Sequence, residues 1–324
     1  MSKAIRIHAH GGPEVMKWED VPTPEPGPNE VLVKHAAIGL NFIDVYVRSG
    51  LYKAPSMPIT PGSEAAGTVA ALGPGVTEFA VGDRVAYGTG PAGAYSTARV
   101  IGADRLVKLP PEIDFNTAAA IMLKGLTAEY LIRRTHKVQP GETILVHAAA
   151  GGVGLILCQW AKHLGATVIG VVSTEAKAAL ARENGAAHTV IGHDNLAAEV
   201  KRITGGAMVP VVYDSVGKAT FTASLDCLAP LGLMVSYGNA SGPVTGIDVG
   251  LLAAKGSLFL TRPTLATYAA KRADLLAGAK DLFEVVRSGA VKIAVNQTFP
   301  LSEAAKAHAA LEARETTGST VLIP

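Results

Sequence analysis

The densest chemical signal in the chain is the run His147-Ala148-Ala149-Ala150-Gly151-Gly152-Val153-Gly154. It follows a short apolar stretch, Thr143–His147, and opens an apolar helical pattern over Val153–Leu164 that Gly165 would stop. Without Cβ atoms at Gly151 and Gly152, a pyrophosphate can approach the backbone. The helix start near Gly152 would aim free N–H groups and the positive end of its dipole at that anion. Gly154 would let helix and sheet pack closely. Ala149 stands where the first glycine of G-x-G-x-x-G usually falls, a loosening that its small size tolerates. A purely structural glycine turn is the competing reading, and the flanking strand and helix argue against it.

A dinucleotide is the ligand such a loop serves, and the next strand says which one. Thr167–Val172 ends in Ser173-Thr174, without the acid that would bond a free ribose and repel a 2′-phosphate. Ser173 and Thr174 offer hydroxyls, and Lys177 offers a cation. These residues favour NADPH over NADH, against the plainer reading of Lys177 as a solvated helix residue.

The elements that must position these residues alternate. Strands are expected at Thr143–His147, Thr167–Val172, His188–Ile191, Val209–Tyr213, Leu233–Tyr237 and Ser257–Leu260, with helices between them, including Glu175–Asn184. Six strands with intervening helices describe an α/β, doubly wound parallel sheet. Before them, short strands at Val31–Ala36, Gly67–Leu72 and Val81–Ala86, punctuated by Gly and Pro, suggest a small β-barrel. A helix over Ala118–Arg133, interrupted by Gly125, leads from one region to the other. Helices at Asp274–Ser288 and Ser302–Glu312 and a strand at Thr320–Ile323 are expected to return to the N-terminal domain. The domains then read 1–125, 126–264 and 265–324.

Bulk composition removes several function classes. A 324-residue chain with 48% hydrophobic and 17% charged residues has material for two packed cores. A formal charge of +2 without a basic aromatic stripe gives no support for nucleic-acid binding. Cys158 and Cys227 alone exclude a disulfide framework and a cysteine-rich zinc lobe. No signal peptide or bilayer-spanning run is visible, so a cytoplasmic enzyme without membrane insertion is expected. His8-Ala9-His10 could set two imidazoles on one strand face, more plausibly as ordinary histidines than as metal ligands.

Several motifs together resemble one family. They are Gly39-Leu40-Asn41-Phe42-Ile43-Asp44-Val45-Tyr46, Arg48-Ser49-Gly50-Leu51-Tyr52, Leu123-Lys124-Gly125-Leu126-Thr127, the 141–162 segment around the glycine loop, Tyr213-Asp214-Ser215-Val216-Gly217 and Thr261-Arg262-Pro263. The chain resembles the zinc-free quinone oxidoreductases of the medium-chain dehydrogenase/reductase superfamily, in their bacterial form. The resemblance implies a GroES-like β-barrel catalytic domain built from both chain ends, a central Rossmann domain, and a homodimer with sheet-edge pairing within Leu233–Leu260. Zinc-dependent relatives carry Cys, His and Cys near Asn41, Ser63 and Leu123. Those replacements cannot rebuild a soft zinc site, so no metal is expected.

Residue by residue, the resemblance implies cofactor contacts from Asn41, Phe42, Ile43 and Tyr46 near the nicotinamide, and from Lys124, Thr127 and Tyr130 at the domain junction. Gly151, Gly152, Val153 and Gly154 would hold the pyrophosphate. Ser173, Lys177, His193 and Arg314 would lie near the 2′-phosphate, His193 standing where relatives often place a Tyr. Ser215, Tyr237, Gly238, Asn239 and Ser241 would lie beside the cofactor. The implied reaction passes reducing equivalents from NADPH to a quinone, or to the β-carbon of a conjugated carbonyl, in a cleft between the domains. Some relatives transfer electrons singly. Without zinc, a developing oxyanion needs other donors, for which Asn41, Tyr46, Tyr52 and Arg262 are candidates; these residues could equally hold cofactor or close the cleft. A 2-alkenal or enone reductase is the nearest alternative. A non-catalytic RNA-binding or crystallin-like role is the alternative from another class.

Overall fold

A computed structural model describes residues 1–324, which cluster into two compact units. The first comprises Met1–Leu126, Ala269–Arg287 and Ile293–Pro324, and the second Thr127–Tyr268 and Ser288–Lys292.

The first unit opens with an antiparallel hairpin, β1 (Ser2–Ile7) and β2 (Met16–Val21). Then come β3 (Glu30–Gly39), helix α1 (Phe42–Ser49), β4 (Glu64–Leu72), β5 (Arg84–Tyr87), β6 (Ala98–Gly102), β7 (Val107–Lys108) and helix α2 (Phe115–Tyr130). The hairpin, β6, β7 and α1 were not separately anticipated. Arg84–Tyr87 replaces the expected strand Val81–Ala86, because Val81-Gly82 turns, with Gly82 at φ 92°. His8 and His10 lie beyond the end of β1, not on a strand face; His8 Nε2 meets Glu19 at 2.7 Å and His10 Nδ1 meets the Arg48 carbonyl at 3.3 Å. Helix α2 begins earlier than expected because Asp114 accepts from Thr117 N at 2.9 Å. Gly125 does not interrupt it; the Leu282 side chain occupies the space beside that glycine. The helix passes into a π-helical turn at Leu131–Thr135.

The second unit alternates strand and helix: β8 (Thr143–His147), α3 (Gly152–His163), β9 (Thr167–Val172), α4 (Glu175–Glu183), β10 (His188–Ile191), α5 (Leu196–Ile203), β11 (Val209–Asp214), α6 (Phe221–Asp226), β12 (Leu228–Ser236), α7 (Gly250–Ala254), β13 (Phe259–Thr261) and α8 (Leu265–Tyr268). All pairings are parallel, in the order β10-β9-β8-β11-β12-β13. Strands buried on both faces explain the apolar runs: Ile144, Leu145, Val146, Val168 and Ile169 are all sealed from solvent. Two strand starts differ from expectation. β12 starts five residues early, accommodating Leu231 at φ 63°, and β13 starts only at Phe259 because Ser257 takes φ 56°.

The remaining elements are α9 (Arg272–Arg287), β14 (Val295–Pro300), α10 (Ala304–Glu312) and β15 (Ser319–Ile323). β15 pairs antiparallel with β3, Val321 against Gly39, and parallel with the unanticipated β14. The expected barrel is a seven-stranded, largely antiparallel sheet in the order β14-β15-β3-β4-β5-β7, with β6 also on β3. Its core gathers Ile5, Ile7, Val31, Val33, Ile38, Val85, Tyr87, Tyr95 and Leu322. His35 is buried there too. Its Nδ1–H donates to Ser96 O at 2.7 Å, Tyr87 OH meets Nε2 at 2.8 Å, and burial lowers its pKa to about 4.

Candidate active site

In the second unit the chain reverses sheet direction between β8 and β11, and the loops leaving those two strands carry the site. After β8, Ala148 takes a left-handed conformation at φ 50°, and Gly151 N closes a turn onto Ala148 O at 2.9 Å. The turn thus places its strain at Ala148, at roughly 1 kcal/mol or more. No side chain caps α3 at Gly151. Its first-turn N–H groups therefore keep the donor set and dipole end that suit a phosphate. A Cβ on Gly154 would collide with Ala148 O and stand 2.8 Å from Ala149 Cα. Gly154 is thus what allows α3 to approach the loop.

Asp214, at the end of β11, organises the facing loop. Its Oδ1 accepts from Val216 N at 2.7 Å and Gly217 N at 3.1 Å; its Oδ2 accepts from Thr220 Oγ1 at 2.7 Å and Ser224 Oγ at 2.9 Å. Ser224, already donating to the carboxylate, accepts from His147 Nε2 at 2.9 Å. One buried hydrogen-bond chain thus ties the last residue of β8 to the 214–217 loop. Burial lowers the His147 pKa, opposed by Asp214, and the ring serves as a neutral donor. The loop after β12 locks onto the same segment. Tyr237 N donates to Asp214 O at 2.8 Å, Ala240 N to Ser215 O at 3.2 Å, and Ser241 N and Oγ both to Val216 O at 2.8 Å. A Cβ on Gly238 would stand 2.8 Å from Ser215 Cα. The structure therefore brings together Ser215, Tyr237, Gly238, Asn239 and Ser241.

Ser173 lies exposed just beyond β9, and Lys177 is half-buried in the first turn of α4, where its N–H donates to the N-cap Thr174 Oγ1 at 3.3 Å. His193 is exposed just after β10. Helix α2 carries Lys124, Thr127 and Tyr130 at three-residue intervals. Tyr130 stacks on Tyr268 with centroids 4.5 Å apart, and its pKa is raised by burial and by Tyr237 while Arg262 pulls it down. Tyr237 and Arg262 therefore lie within electrostatic reach of Tyr130.

In the first unit α1 starts at Asn41. The Asp44 carboxylate accepts from Asn41 N at 3.0 Å, the return half of a capping box. The Asn41 amide instead turns to Glu64, donating to Oε2 at 2.9 Å. Glu64 is wholly buried; it also takes Leu123 N on Oε1 at 2.7 Å and Lys124 Nζ on Oε2 at 3.1 Å. Thus Asn41 and Leu123, two of the positions where zinc-dependent relatives place ligands, join one buried network around Glu64. Ser63, the third, donates to Asp44 Oδ1 at 2.8 Å. No group of three or more His, Cys, Asp or Glu side chains is placed to hold a metal ion. Phe42 and Ile43 are half-buried on α1, and Tyr46 packs between Phe42 and Tyr52, with ring centroids at 6.2 and 5.3 Å. Arg314 is exposed after α10 at φ 61°. The four proposed oxyanion donors divide, with Asn41, Tyr46 and Tyr52 in the first unit and Arg262 in the second. Sequence reasoning gave no role to Asp44, Glu64, Asp214, Thr220 or Ser224. Only the Asn41-x-x-Asp44 capping pattern was a readable signal for any of them.

Comparison with known proteins agrees with this architecture. Residues 27–143 match the alcohol dehydrogenase GroES-like domain family, and residues 152–271 match the zinc-binding dehydrogenase family. The chain is 58% identical to a quinone oxidoreductase of Pseudomonas aeruginosa and 48% identical to a 2-haloacrylate reductase of a Burkholderia species. Each match spans all of this chain, with 100% and 99% of the relative covered. The crystal structure of Escherichia coli quinone oxidoreductase complexed with NADPH superposes with a TM-score of 0.98 at 49% identity, covering both chains fully. The chain belongs to the quinone oxidoreductase family of the medium-chain dehydrogenase/reductase superfamily.

Proposed function

We propose that this protein is an oxidoreductase that uses NADPH to reduce a quinone, without zinc. The observation that carries this reading is the uncapped N-terminus of α3, set behind the Ala148–Gly154 turn and opposite the interlocked 214–217 and 238–241 loops. Bound there, NADPH supplies the hydride, and the protein's task is to bind and orient. Gly151, Gly152, Val153 and Gly154 hold the pyrophosphate. Ser173, Lys177 and His193 receive the 2′-phosphate, with Arg314 a further cation for it. Ser215, Tyr237, Gly238, Asn239 and Ser241 line the cofactor. Asn41, Phe42, Ile43 and Tyr46 orient the nicotinamide, and Lys124, Thr127 and Tyr130 add further cofactor contacts. Tyr46, Tyr52 and Arg262 supply hydrogen bonds to the acceptor oxygen, whereas Asn41, expected as a fourth donor, spends its amide on Glu64 Oε2 and Gly39 O.

The 48% identity to a 2-haloacrylate reductase favours a second reading, reduction of a conjugated C=C bond on the same scaffold. Fluorescence titration with NADPH and NADH tests the cofactor assignment. Tight NADPH binding that Lys177→Ala weakens about tenfold, with NADH binding unchanged, supports it; equal affinity for both overturns the Ser173, Lys177 and His193 reading. A panel of quinones and enals compared by kcat/KM then decides between the two acceptors.

No helix is long and apolar enough to cross a membrane. Cytoplasmic residence is supported by Cys158 and Cys227 remaining free thiols, each pushed up to about 12 by burial. A homodimer is supported by β13, an outer strand of the parallel sheet that exposes Phe259. Light scattering with Phe259→Asp tests it, a monomeric variant being the expected result.

A further inference from the structure

Reduction of a quinone or enone consumes one proton besides the hydride, and that proton must be held and delivered. We propose that the Asp44 carboxyl holds that proton and that the Ser63 hydroxyl delivers it to the acceptor oxygen. This inference rests on the quinone-reductase reading.

The hydrogen-bond directions around Asp44 fix where its proton sits. Asp44 is 1% exposed, and three donors surround its carboxyl. Oδ2 takes the fixed Asn41 N–H at 3.0 Å and Tyr95 OH at 3.2 Å, while Oδ1 takes only Ser63 Oγ at 2.8 Å. The Tyr95 hydroxyl cannot easily turn away. It also meets His308 Nε2 at 3.0 Å, and His308 Nδ1 faces the Arg48 guanidinium at 3.1 Å, which makes Nε2 the ring's donor. Oδ2 is therefore filled from both sides, and a proton on Asp44 must sit on Oδ1. There it donates to Ser63 Oγ, and the Ser63 O–H is released to point elsewhere. Asn41 and Tyr95 are buried, whereas Ser63 is only half-buried, so Ser63 is the outlet of the three. It also precedes Glu64, the carboxylate bound to Asn41.

The charges nearby leave Asp44 without a counter-ion. Arg48 is engaged by both Glu312 oxygens at 2.8 Å and by Gly11 O, and Lys124 by Glu64. Burial lowers the His308 pKa to about 3, so it adds no cation. Burial raises Asp44 to about 7, against the pull of Ser63, Asn41, Lys124 and Tyr95. Its proton is thus available near neutrality.

In the step itself, the acceptor gains a hydride from NADPH and its oxygen becomes anionic. The Ser63 O–H bond breaks as the new acceptor O–H forms, and Ser63 takes the proton from Asp44 Oδ1. Asp44 is left as a carboxylate and recovers a proton from water through Ser63. The sum is acceptor, NADPH and one proton giving reduced acceptor and NADP⁺.

Carboxyl ¹³C NMR of the aspartate-labelled protein, assigned with Asp44→Asn, reads the store directly. Single-turnover quinone reduction across pH reads its use. The expected result is one aspartate titrating near 7 and a rate that falls as pH rises through the same value. Ser63→Ala leaves the α1 cap intact; it should lower the rate about 10²-fold or more, raise the Asp44 pKa by removing a donor, and leave NADPH affinity unchanged. Ser63→Thr should restore the rate. Tyr95→Phe, which removes a donor but not the outlet, should move the limb to higher pH. An Asp44 that titrates in the ordinary carboxylate range, or a Ser63→Ala variant with wild-type rate and profile, overturns the proposal alone. A wild-type protein that reduces no quinone at any pH overturns the quinone-reductase reading and this proposal with it.

Discussion

Glu64 and Asp214 are both completely buried carboxylates, one in each unit, and they are satisfied in opposite ways. Glu64 meets an ammonium, an amide and one backbone N–H, and the charge pair Glu64–Lys124 is itself sealed from solvent. Asp214 meets no cation; two backbone N–H groups and two hydroxyls share its charge, with neutral His147 behind one of them. The difference follows the jobs of the two regions. Around Glu64, side chains from α1, β4 and α2 must be held in one place, and a charge pair fixes all three. Around Asp214, two loops must be held against each other, and a carboxylate that gathers N–H groups and hydroxyls does that without a bulky cation. Asp44 is a third solution, with three neutral donors and no ion-pair partner, and burial pushes its carboxyl toward neutrality.

The sharpest break of this comparison is Glu64→Gln. It strands the Lys124 ammonium in the interior and should cost about 3–5 kcal/mol in urea unfolding. Glu64→Gln with Lys124→Met should recover most of that loss; if it does not, the pair is not what holds the region. Asp214→Asn leaves no charge stranded but removes acceptors for buried donors. It should cost about 1–3 kcal/mol and weaken NADPH binding in calorimetric titration, whereas a variant with unchanged affinity would mean the loops are shaped without it. Gly154→Ala probes the backbone-built side again. Its methyl group has no room against Ala148 and Ala149, so melting should reveal a loss of about 1–3 kcal/mol together with impaired cofactor binding. The remaining effect is spread over pH. Asp44 is raised from 3.8 in the unfolded chain to about 7 when folded. Its contribution is complete below about pH 4 and is lost as pH rises through about 7, at no more than about 1.4 kcal/mol per pH unit. Urea midpoints of the wild type and Asp44→Asn should diverge across that interval and run parallel above it.

Much of the second unit was legible in the residues. Thr167–Val172 is a strand with those limits, α3 starts within one residue of its expected position, and the glycine turn lies between β8 and α3 as its composition required. Local rules suffice there because a parallel strand buried on both faces is an unbroken apolar run and glycine marks its ends. The first unit was harder. Helix α1 is eight residues long and its Asn41 cap was absorbed into a motif, while β1, β2 and β14 carry mixed burial that gives no clean alternation. Their strand state comes from partners: β14 needs β15, and β15 needs β3, almost the whole chain away.

By itself, then, the sequence determined the parallel sheet, the glycine turn that opens α3 and the lack of an acid at the tip of β9. Those depend on residue type and near-neighbour spacing. Only the tertiary structure decided that Glu64 would meet Lys124 sixty positions on, that Ser224 would join Asp214 to His147, and that Asp44 would be buried with Ser63 as its one accessible partner. A carboxylate's charge state depends on solvent and on groups brought to it by folding, and that information resides in no single stretch of chain.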